Sequence, residues 1–379
     1  MDGLTVELPA GQQAASRNAL PYLHGHEAAE VARVLRSGHY THGPETEQFE
    51  RELAAFLGVP DVVAVASGTA ALHIALLAAG IGPGDEVVVP SFTFCASVQA
   101  ILACGARPRF ADINPATLCV TSSDVLEAIT PDTHAVMPVL YGGRAVDLSD
   151  ISAELAERNI AVIEDAAHAF GSYAGDRRVG STGALTCFSF DPIKNLTCGE
   201  GGALVPCNAN EAAQARRIRD LGIVQSRTER TQATGYEVQG FGLRAHLPAL
   251  NAVIGRAQLA RFPVIAVRRQ ELWSAYQAAL SGAEGVSIVD VDIARSVPFN
   301  CVVRIDEGRD QAFGRLRAQG IGVGVHYPPN HLQLAFAAWR RALPRTERAA
   351  RRVLSLPFHP AITREDASHV TNLLREALK

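Results

Sequence analysis

Short apolar segments alternate with helical patterns through the first half of the chain. The apolar segments are brief and bounded by turn residues, as buried strands are. They lie at residues 62–66, 87–90, 108–111, 135–139 and 160–164. Helical patterns at residues 95–104, 123–129 and 148–158 separate them. This order predicts an α/β fold with a largely parallel sheet and helices on both of its faces.

The pattern changes after residue 247. Two helical stretches, at residues 251–260 and 263–280, follow one another closely. The later segments predict strands at 286–289, 300–304 and 322–326 and helices at 310–319, 347–354 and 364–378. The sequence therefore predicts a large α/β domain over residues 1–247, with an N-terminal arm up to residue 11. A smaller C-terminal α+β domain is predicted over residues 248–379.

Charge and cysteine content argue against several classes of protein. The 379 residues carry a formal net charge of −4 and no dense block of lysine and arginine, which argues against nucleic acid or an anionic membrane as the main partner. Seven cysteines without a Cys-x-x-Cys pair favour reduced thiols over a disulfide framework or a zinc site. No apolar stretch reaches the roughly 20 residues of a membrane span. We therefore expect a cytoplasmic protein without a bound metal.

Lys194 lies between two predicted strands in the stretch FSFDPIKNLTCGEGG, residues 188–202. The first strand, residues 184–190, ends before an Asp-Pro turn, and the second, residues 203–206, follows a glycine-rich turn. Glycines beside a lysine let a ligand approach closely, which suits an amine that forms a Schiff base with a carbonyl cofactor. The alternative is a solvated loop lysine, as most lysines are.

Three further features suit the same ligand. Ser67-Gly68-Thr69 joins a predicted strand to a helix, where free amides and the helix dipole bind phosphate, although Ser67 alone could be a plain N-cap. Asp165 follows the strand at residues 160–164 and so lies at the carboxyl edge of the sheet, where ligands bind. Phe94 offers a flat apolar ring. Pyridoxal 5'-phosphate (PLP) requires an amine, an acid, a phosphate cradle and an aromatic partner together.

In the order cradle, ring, acid and lysine, these features resemble the fold-type-I PLP enzymes. The resemblance narrows to the DegT/StrS sugar aminotransferases and runs along almost the whole chain. It rests on the blocks RSGHYTHGPETEQFE, SGTAALHIAL, GDEVVVPSFTF, IEDAAHAFGS, FSFDPIKNLTCGEGGAL and GVHYPPNH. It implies a large domain with a mostly parallel sheet flanked by helices and a smaller C-terminal α+β domain.

The resemblance also implies roles for individual residues. Lys194 binds the cofactor aldehyde, and Asp165 pairs with the pyridine nitrogen. Phe94 stacks on the ring, and His168 approaches the ring hydroxyl. The implied phosphate-binding residues are Ser67, Gly68, Thr69 and Ser189.

One block departs from the family pattern. Many members have Asn-x-Arg after a glycine, and that asparagine reaches the phosphate of the second subunit, but here Gly242 stands in its place, two residues before Arg244. A guanidinium binds phosphate with charge assistance, so we predict that Arg244 takes over the contact. The alternative is an arginine that only packs near the domain boundary. The first interpretation predicts a homodimer with shared active sites.

The blocks GHYTHGP and GVHYPPNH imply contacts with substrate. The predicted contacts are Tyr40, Thr41, His326 and His331, with His331 the better candidate of the two histidines. His326 could equally be an ordinary strand residue. The roles of His39, His42 and His246 stay open.

The function that the resemblance implies is transamination in amino-sugar biosynthesis, including that of antibiotics. Glutamate would convert the cofactor to pyridoxamine 5'-phosphate, which would aminate C-4 of a dTDP-linked 4-keto-6-deoxy sugar. The enzymatic alternatives are a C-3 ketosugar or keto-cyclitol substrate. The non-enzymatic alternatives are a regulatory protein that binds PLP without catalysis and a structural protein without a cofactor. A related sugar dehydratase lacks the lysine, so Lys194 argues against it.

Overall fold

The computed structural model describes residues 12–225 and 227–379. The predicted N-terminal arm, residues 1–11, lies outside the described residues. Within them, every helix is too short or too polar to cross a membrane.

Helices and strands alternate along the first half of the chain, as the sequence predicts. The α-helices are α1 (Gln12–Ala15), α2 (His26–Ser37), α3 (Pro44–Leu57), α4 (Gly68–Ala78), α5 (Cys95–Ala103), α6 (Ser122–Ala128), α7 (Ser152–Glu157), α8 (Ala209–Arg219), α9 (Arg227–Gln232), α10 (Ala249–Ala260), α11 (Phe262–Ala279), α12 (Arg309–Ala318), α13 (Pro344–Ala350) and α14 (Arg364–Ala377). The strands are β1 (Val63–Val65), β2 (Glu86–Pro90), β3 (Arg107–Ala111), β4 (Thr133–Val136), β5 (Ala161–Asp165), β6 (Tyr173–Ala174), β7 (Arg177–Arg178), β8 (Leu185–Ser189), β9 (Gly202–Val205), β10 (Val286–Ile288), β11 (Cys301–Ile305) and β12 (Val353–Leu356). Short 3-10 helices span Tyr141–Gly143, Ser149–Ile151, Asn330–Leu332 and Leu334–Trp339.

The central sheet has the strand order β1-β9-β8-β5-β4-β2-β3. Strands β8, β5, β4, β2 and β3 run parallel, and β9 runs antiparallel between β1 and β8. The predicted mostly parallel sheet is confirmed. The carboxyl ends of β5 and β8 lie side by side, since Asp165 is in register with Cys187.

Alternate residues of the strands point to opposite faces of this sheet. On one face, Val63 of β1 packs in a cluster with α4 and α5. On the other face, its neighbour Val62 packs with α3 and α10. Val88 of β2 and Val136 of β4 point to this second face and pack with α6 and α7. Helices therefore cover both faces, as expected of a buried parallel sheet.

Strands β10, β11 and β12 form a second, antiparallel sheet. Trp273 and Tyr276 of α11 pack in one cluster with this sheet, α12 and α14. Ala14 and Ala15 of α1 belong to the same cluster. Helix α10 instead packs on α2 and α3. The division into domains at residues 247 and 248 stays a prediction.

Two of the predicted elements are wrong. Residues 322–326 form no strand: Gly324 makes a single bridge to Ser355, because the N–H of Gly322 bonds instead to the oxygen of Ala15 (2.7 Å). The predicted helix at residues 347–354 ends early, at Ala350, because residues 353–356 pair with β11 as β12. In both places a long-range contact overrides the local pattern.

Candidate active site

Asp165 is the last residue of β5, at the carboxyl edge of the central sheet. Its buried side chain accepts hydrogen bonds from the Ser97 hydroxyl to Oδ2 (2.6 Å) and from the Ala167 N–H to Oδ1 (3.1 Å). Burial raises the pKa of Asp165, while these two hydrogen bonds and the charge of Lys194 oppose that rise. The site thus holds a carboxyl group in a fixed orientation.

Lys194 lies in the loop between β8 and β9. Its backbone N–H donates to the oxygen of Asp191 (3.1 Å), and its Nζ lies 4.4 Å from the centre of the Phe299 ring. Burial lowers the pKa of Lys194 to about 8, against the opposing charges of Asp165 and Asp191. Such an amine is neutral in a useful fraction of molecules near physiological pH, as a nucleophile or general base must be.

The start of α4 packs closely against the last residue of β8 and the first residue of β9. A Cβ on Gly68 would lie 2.7 Å from the Cβ of Ser189, and a Cβ on Gly202 would lie 2.5 Å from the backbone of Ser67, so only glycine fits at either position. The Ser67 hydroxyl caps α4 by accepting a backbone N–H of its first turn (3.1 Å). The N–H groups of Gly68 and Thr69 have no acceptor within their own helix. This helix start suits a phosphate.

His168, in the loop after β5, contacts two aromatic residues. Its ring stacks on Phe299 with the ring centres 3.9 Å apart. Nδ1 accepts the N–H of Gly142 (3.3 Å), so the proton lies on Nε2, 3.0 Å from the Tyr327 hydroxyl. Burial lowers the pKa of His168 well below its ordinary value, and the charge of Lys194 lowers it further. His168 is therefore neutral and held in one tautomer.

Phe94 immediately precedes α5, and the residue is 57% exposed. Its ring centre lies 5.7 Å from that of Tyr327. Three residues further on, Ser97 bonds to both the Phe94 oxygen (3.4 Å) and Asp165. The first turn of α5 therefore joins an exposed ring to the buried carboxyl group, and the ring is free to stack on a planar ligand.

His326 lies close enough to Lys194 for the lysine charge to affect its titration. Its Nδ1 is 2.7 Å from the Ser355 hydroxyl. Burial, with a smaller effect of Lys194, lowers the pKa of His326 to about 4. The ring is neutral at physiological pH and forms part of the surroundings of the lysine.

His331 is fully buried. Its Nε2 lies 3.4 Å from Glu347 Oε1 and its Nδ1 lies 2.6 Å from the Ser91 hydroxyl, so both ring nitrogens are engaged within the protein. These bonds hold the ring in place, and a contact between His331 and substrate stays a prediction.

Arg244 and Thr41 line a cavity that is separate from the lysine. This cavity, of about 1100 Å³, lies between α3, α8 and the chain at residues 221–246, and His42 and His246 also line it. Among the described residues around it, neither Lys194 nor any residue of its loop is present. The contact of Arg244 with the cofactor phosphate and that of Thr41 with substrate stay predictions.

Tyr40 and His39 make local contacts at the end of α2. The Tyr40 hydroxyl donates to the Leu35 oxygen (3.1 Å), and His39 Nδ1 lies 2.8 Å from the Ser37 oxygen. Both side chains are exposed. A contact between Tyr40 and substrate stays a prediction.

Three residues of the site were missed by reasoning from the sequence. Tyr327 lies inside the GVHYPPNH block, and Ser97 follows Phe94 at helical spacing, so each carried a local signal. Phe299 carried none, because it reaches Lys194 and His168 from the segment before β11, more than a hundred residues away in sequence.

The arrangement fits PLP on several independent observations. A partly neutral amine lies near a buried carboxyl group, as the mutual charge effects of Lys194 and Asp165 require. The backbone N–H groups of Gly68 and Thr69 at the start of α4 have no acceptor within their own helix and suit a phosphate. Chemically, such a site can bind a carbonyl compound at the amine and move a proton beside it.

Comparisons with known proteins agree with this geometry. Residues 21–375 match the DegT/DnrJ/EryC1/StrS aminotransferase family. The spore coat polysaccharide biosynthesis protein SpsC of Bacillus subtilis (strain 168) is 36% identical over 375 residues, which cover 95% of this chain and 96% of SpsC. The structure of the aminotransferase TlmJ from Streptoalloteichus hindustanus has a TM-score of 0.90 and 36% identity, covering 96% of this chain and 98% of TlmJ. The structure of DesI in the presence of its TDP-sugar product has a TM-score of 0.84 and 31% identity, covering 96% of this chain and 92% of DesI.

These matches extend over nearly the whole chain and agree on both fold and chemistry. Aminotransferases of this family use PLP, and they act on nucleotide sugars. The predicted fold class and enzyme class are confirmed. The chain therefore belongs to the DegT/DnrJ/EryC1/StrS family of sugar aminotransferases.

Proposed function

We propose that this protein transfers the amino group of glutamate to C-4 of a dTDP-linked 4-keto-6-deoxy sugar. The observation that carries the proposed chemistry is the partly neutral amine of Lys194 near the buried carboxyl group of Asp165. When bound, PLP supplies an aldehyde that accepts amines and a ring that withdraws electrons. The residues of the chain bind that group, orient it and move protons beside it.

Lys194 has two proposed tasks. It binds the cofactor covalently, and once released it moves the proton between the amino-bearing carbon and the cofactor carbon that is joined to the same nitrogen. A pKa of about 8 suits both directions of this transfer, because neither the neutral nor the charged amine is rare at physiological pH. Asp165, oriented by Ser97, stabilises a positive charge on the ring nitrogen.

The other predicted residues are proposed to position the cofactor. Phe94 stacks on the ring with its exposed face. His168 offers its Nε2 proton near the ring hydroxyl. The proposed phosphate contacts are those of Ser67, Gly68, Thr69 and Ser189 at the start of α4 and the end of β8.

The choice of sugar rests on two sequence blocks and on one solved relative. The blocks GHYTHGP and GVHYPPNH favour C-4, and DesI, solved with a TDP-sugar product, favours a dTDP-linked substrate. His326 is the proposed sugar contact nearest the lysine, with Tyr40 and Thr41 reaching the substrate across a subunit interface. SpsC, a spore coat polysaccharide protein, supports a surface polysaccharide as well as an antibiotic as the destination of the amino sugar.

The proposal predicts which carbon receives nitrogen. Incubation with ¹⁵N-glutamate and matched C-4 and C-3 nucleotide ketosugars is expected to give an amino sugar labelled at C-4, located by NMR. The Lys194→Ala protein is the control and is expected to give no labelled sugar. An amine found only at C-3, or only on a keto-cyclitol, contradicts the proposed substrate and leaves the aminotransferase assignment intact.

A homodimer with shared active sites is part of the proposal. The chain that leads to Arg244 exposes large apolar side chains, among them Tyr236 (67%) and Phe241 (67%). Side chains of this size rarely stay exposed in a monomer when they cluster on one segment. Since Lys194 does not line the cavity that Arg244 lines, a second copy is proposed to bring the arginine to the cofactor.

Mixing two inactive proteins tests this sharing. Lys194→Ala and Arg244→Ala are each expected to be impaired alone. After subunit exchange, about a quarter of the wild-type activity is expected, because half of the dimers are hybrids and each hybrid has one intact site. No recovery in hybrid dimers that differential tags identify would place Arg244 in the same site as its own Lys194 or at the surface.

We also propose a cytoplasmic location. All seven cysteines are free thiols, and five of them are buried. Thiols that stay unpaired in this number are typical of a reducing compartment.

A further inference from the structure

Arg269 is a buried cation behind the lysine loop. The residue is 3% exposed and comes from the middle of α11. Its Nη1 donates to the backbone oxygens of Pro298 (3.3 Å) and Phe299 (3.2 Å), and its Nη2 donates to the oxygen of Lys194 (3.4 Å). One guanidinium therefore holds the backbone at both Lys194 and Phe299.

No carboxylate among the described residues lies within ion-pair distance of Arg269. Arginine is almost never fully buried without a paired acid, because a buried charge loses its hydration. Within residues 12–225 and 227–379, its further contact is with the Phe358 ring, whose centre lies 5.7 Å from the guanidinium carbon. Burial lowers the pKa of Arg269 to about 10, which still leaves it charged at physiological pH. The fold thus keeps an uncompensated positive charge at this place.

The two residues that Arg269 holds face one another across the site. The Phe299 ring lies 4.4 Å from Lys194 Nζ and stacks on His168. A shift of either backbone segment would change the position of the lysine amine over that ring. The guanidinium fork, with its rigid geometry, is suited to fixing two carbonyl groups at once.

The charged groups around Lys194 have opposite effects on the pKa of its amine. Asp165 at the end of β5 and Asp191 in the lysine loop favour the protonated amine, and Arg269 on α11 disfavours it. His168 and His326 are neutral, since burial lowers the pKa of each below its ordinary value. Burial is the main cause that lowers the pKa of Lys194 against these two acids, and the charge of Arg269 lowers it further.

We propose that Arg269 is a positioning residue that fixes Lys194 against Phe299 and, by its unpaired charge, keeps the released lysine amine neutral enough to act as a base. This inference rests on the proposed role of Lys194. It assigns Arg269 no contact with substrate or cofactor.

The test is to measure the titration of the Lys194 amine directly. Lys194 and Lys379 are the two lysines of the chain, so competitive acetylation followed by peptide mass spectrometry reports on Lys194, with the exposed Lys379 as internal reference. The full-length protein is first treated with hydroxylamine and dialysed, which removes any carbonyl ligand from the amine. The measurement needs no turnover, so it is independent of the sugar substrate.

Four variants separate charge from hydrogen bonding. Arg269→Met removes both, Arg269→Gln keeps donors without charge, and Arg269→Lys keeps an ionisable amine without the fork. Arg268→Met is the matched control, because Arg268 is on the same helix but is exposed and bonds to Pro360. Circular dichroism shows which variants fold.

The wild-type midpoint is expected near 8. Arg269→Met and Arg269→Gln are expected to raise it by up to about one unit. Arg269→Lys is expected to raise it less, because burial leaves the new amine only partly charged, and Arg268→Met is expected to leave it nearly unchanged. If Arg269→Met does not fold, the comparison of Gln with Lys carries the test. An unchanged midpoint in every folded neutral variant would overturn the proposal. If a variant loses product formation but its midpoint is unchanged, Arg269 only supports the fold and the proposal is wrong. If the midpoint shifts but the wild-type protein aminates no sugar, the proposed function is wrong and the role of Arg269 stands.

Discussion

Replacing Lys194 with alanine is expected to lower turnover by roughly 10,000-fold or more, the largest effect of any single substitution in the chain. The substitution removes both the covalent attachment of the cofactor and the group that moves the proton. The protein is still expected to fold and to bind PLP through the start of α4 and Asp165, because those contacts do not involve the lysine. Steady-state kinetics measures the turnover, and the absorbance of the cofactor measures how much PLP the protein binds.

Lys379→Ala is the matched control, since it removes the other lysine of the chain, at the C-terminus. It is expected to have wild-type activity. Turnover of Lys194→Ala within tenfold of wild type, at equal occupancy, contradicts the role of the lysine.

Replacing Asp165 with asparagine is expected to lower turnover by about 100- to 1,000-fold. The amide keeps the size of the side chain and an oxygen to accept the Ser97 hydrogen bond, but it cannot hold a positive charge on the ring nitrogen. Since the fold around β5 is preserved, the expected loss falls on kcat more than on the amount of cofactor bound.

Glu164→Gln is the control for Asp165→Asn, because Glu164 precedes Asp165 on β5 and points to the other face of the sheet. It accepts a hydrogen bond from Thr186 (2.7 Å), and burial raises the pKa of Glu164. Near-wild-type turnover is expected from the Glu164 variant. Equal losses in both variants would mean that β5 responds to any lost carboxyl group, and Asp165 would have no special role.

The sheet and the position of the acid could be predicted from the sequence because both follow from local pattern. Alternating apolar strands and helices specify a parallel sheet, and a polar residue directly after a buried strand falls at its carboxyl edge. The lysine loop was predictable for a similar reason, since glycine-rich turns and flanking strands surround Lys194 within fifteen residues of chain.

The wall of the site could not be predicted, because it depends on contacts between distant segments. Phe299 reaches Lys194 from the segment before β11 and Arg269 from α11, and no local pattern distinguishes them from other buried residues. The hydrogen-bond partners of His331 could not be predicted either. It lies in a family block beside proline residues, but its nitrogens bond to Ser91 and Glu347, which only the fold brings near.

Borohydride reduction of the PLP-loaded protein, followed by peptide mapping, tests the central claim most directly. With two lysines and one N-terminal amine in the chain, the attachment site is unambiguous. The account predicts that the reduced cofactor is found on the peptide that contains Lys194, and that the Lys194→Ala protein carries none. Cofactor found on Lys379 or the N-terminus, or a PLP-loaded protein that retains no covalent label after reduction, would contradict it.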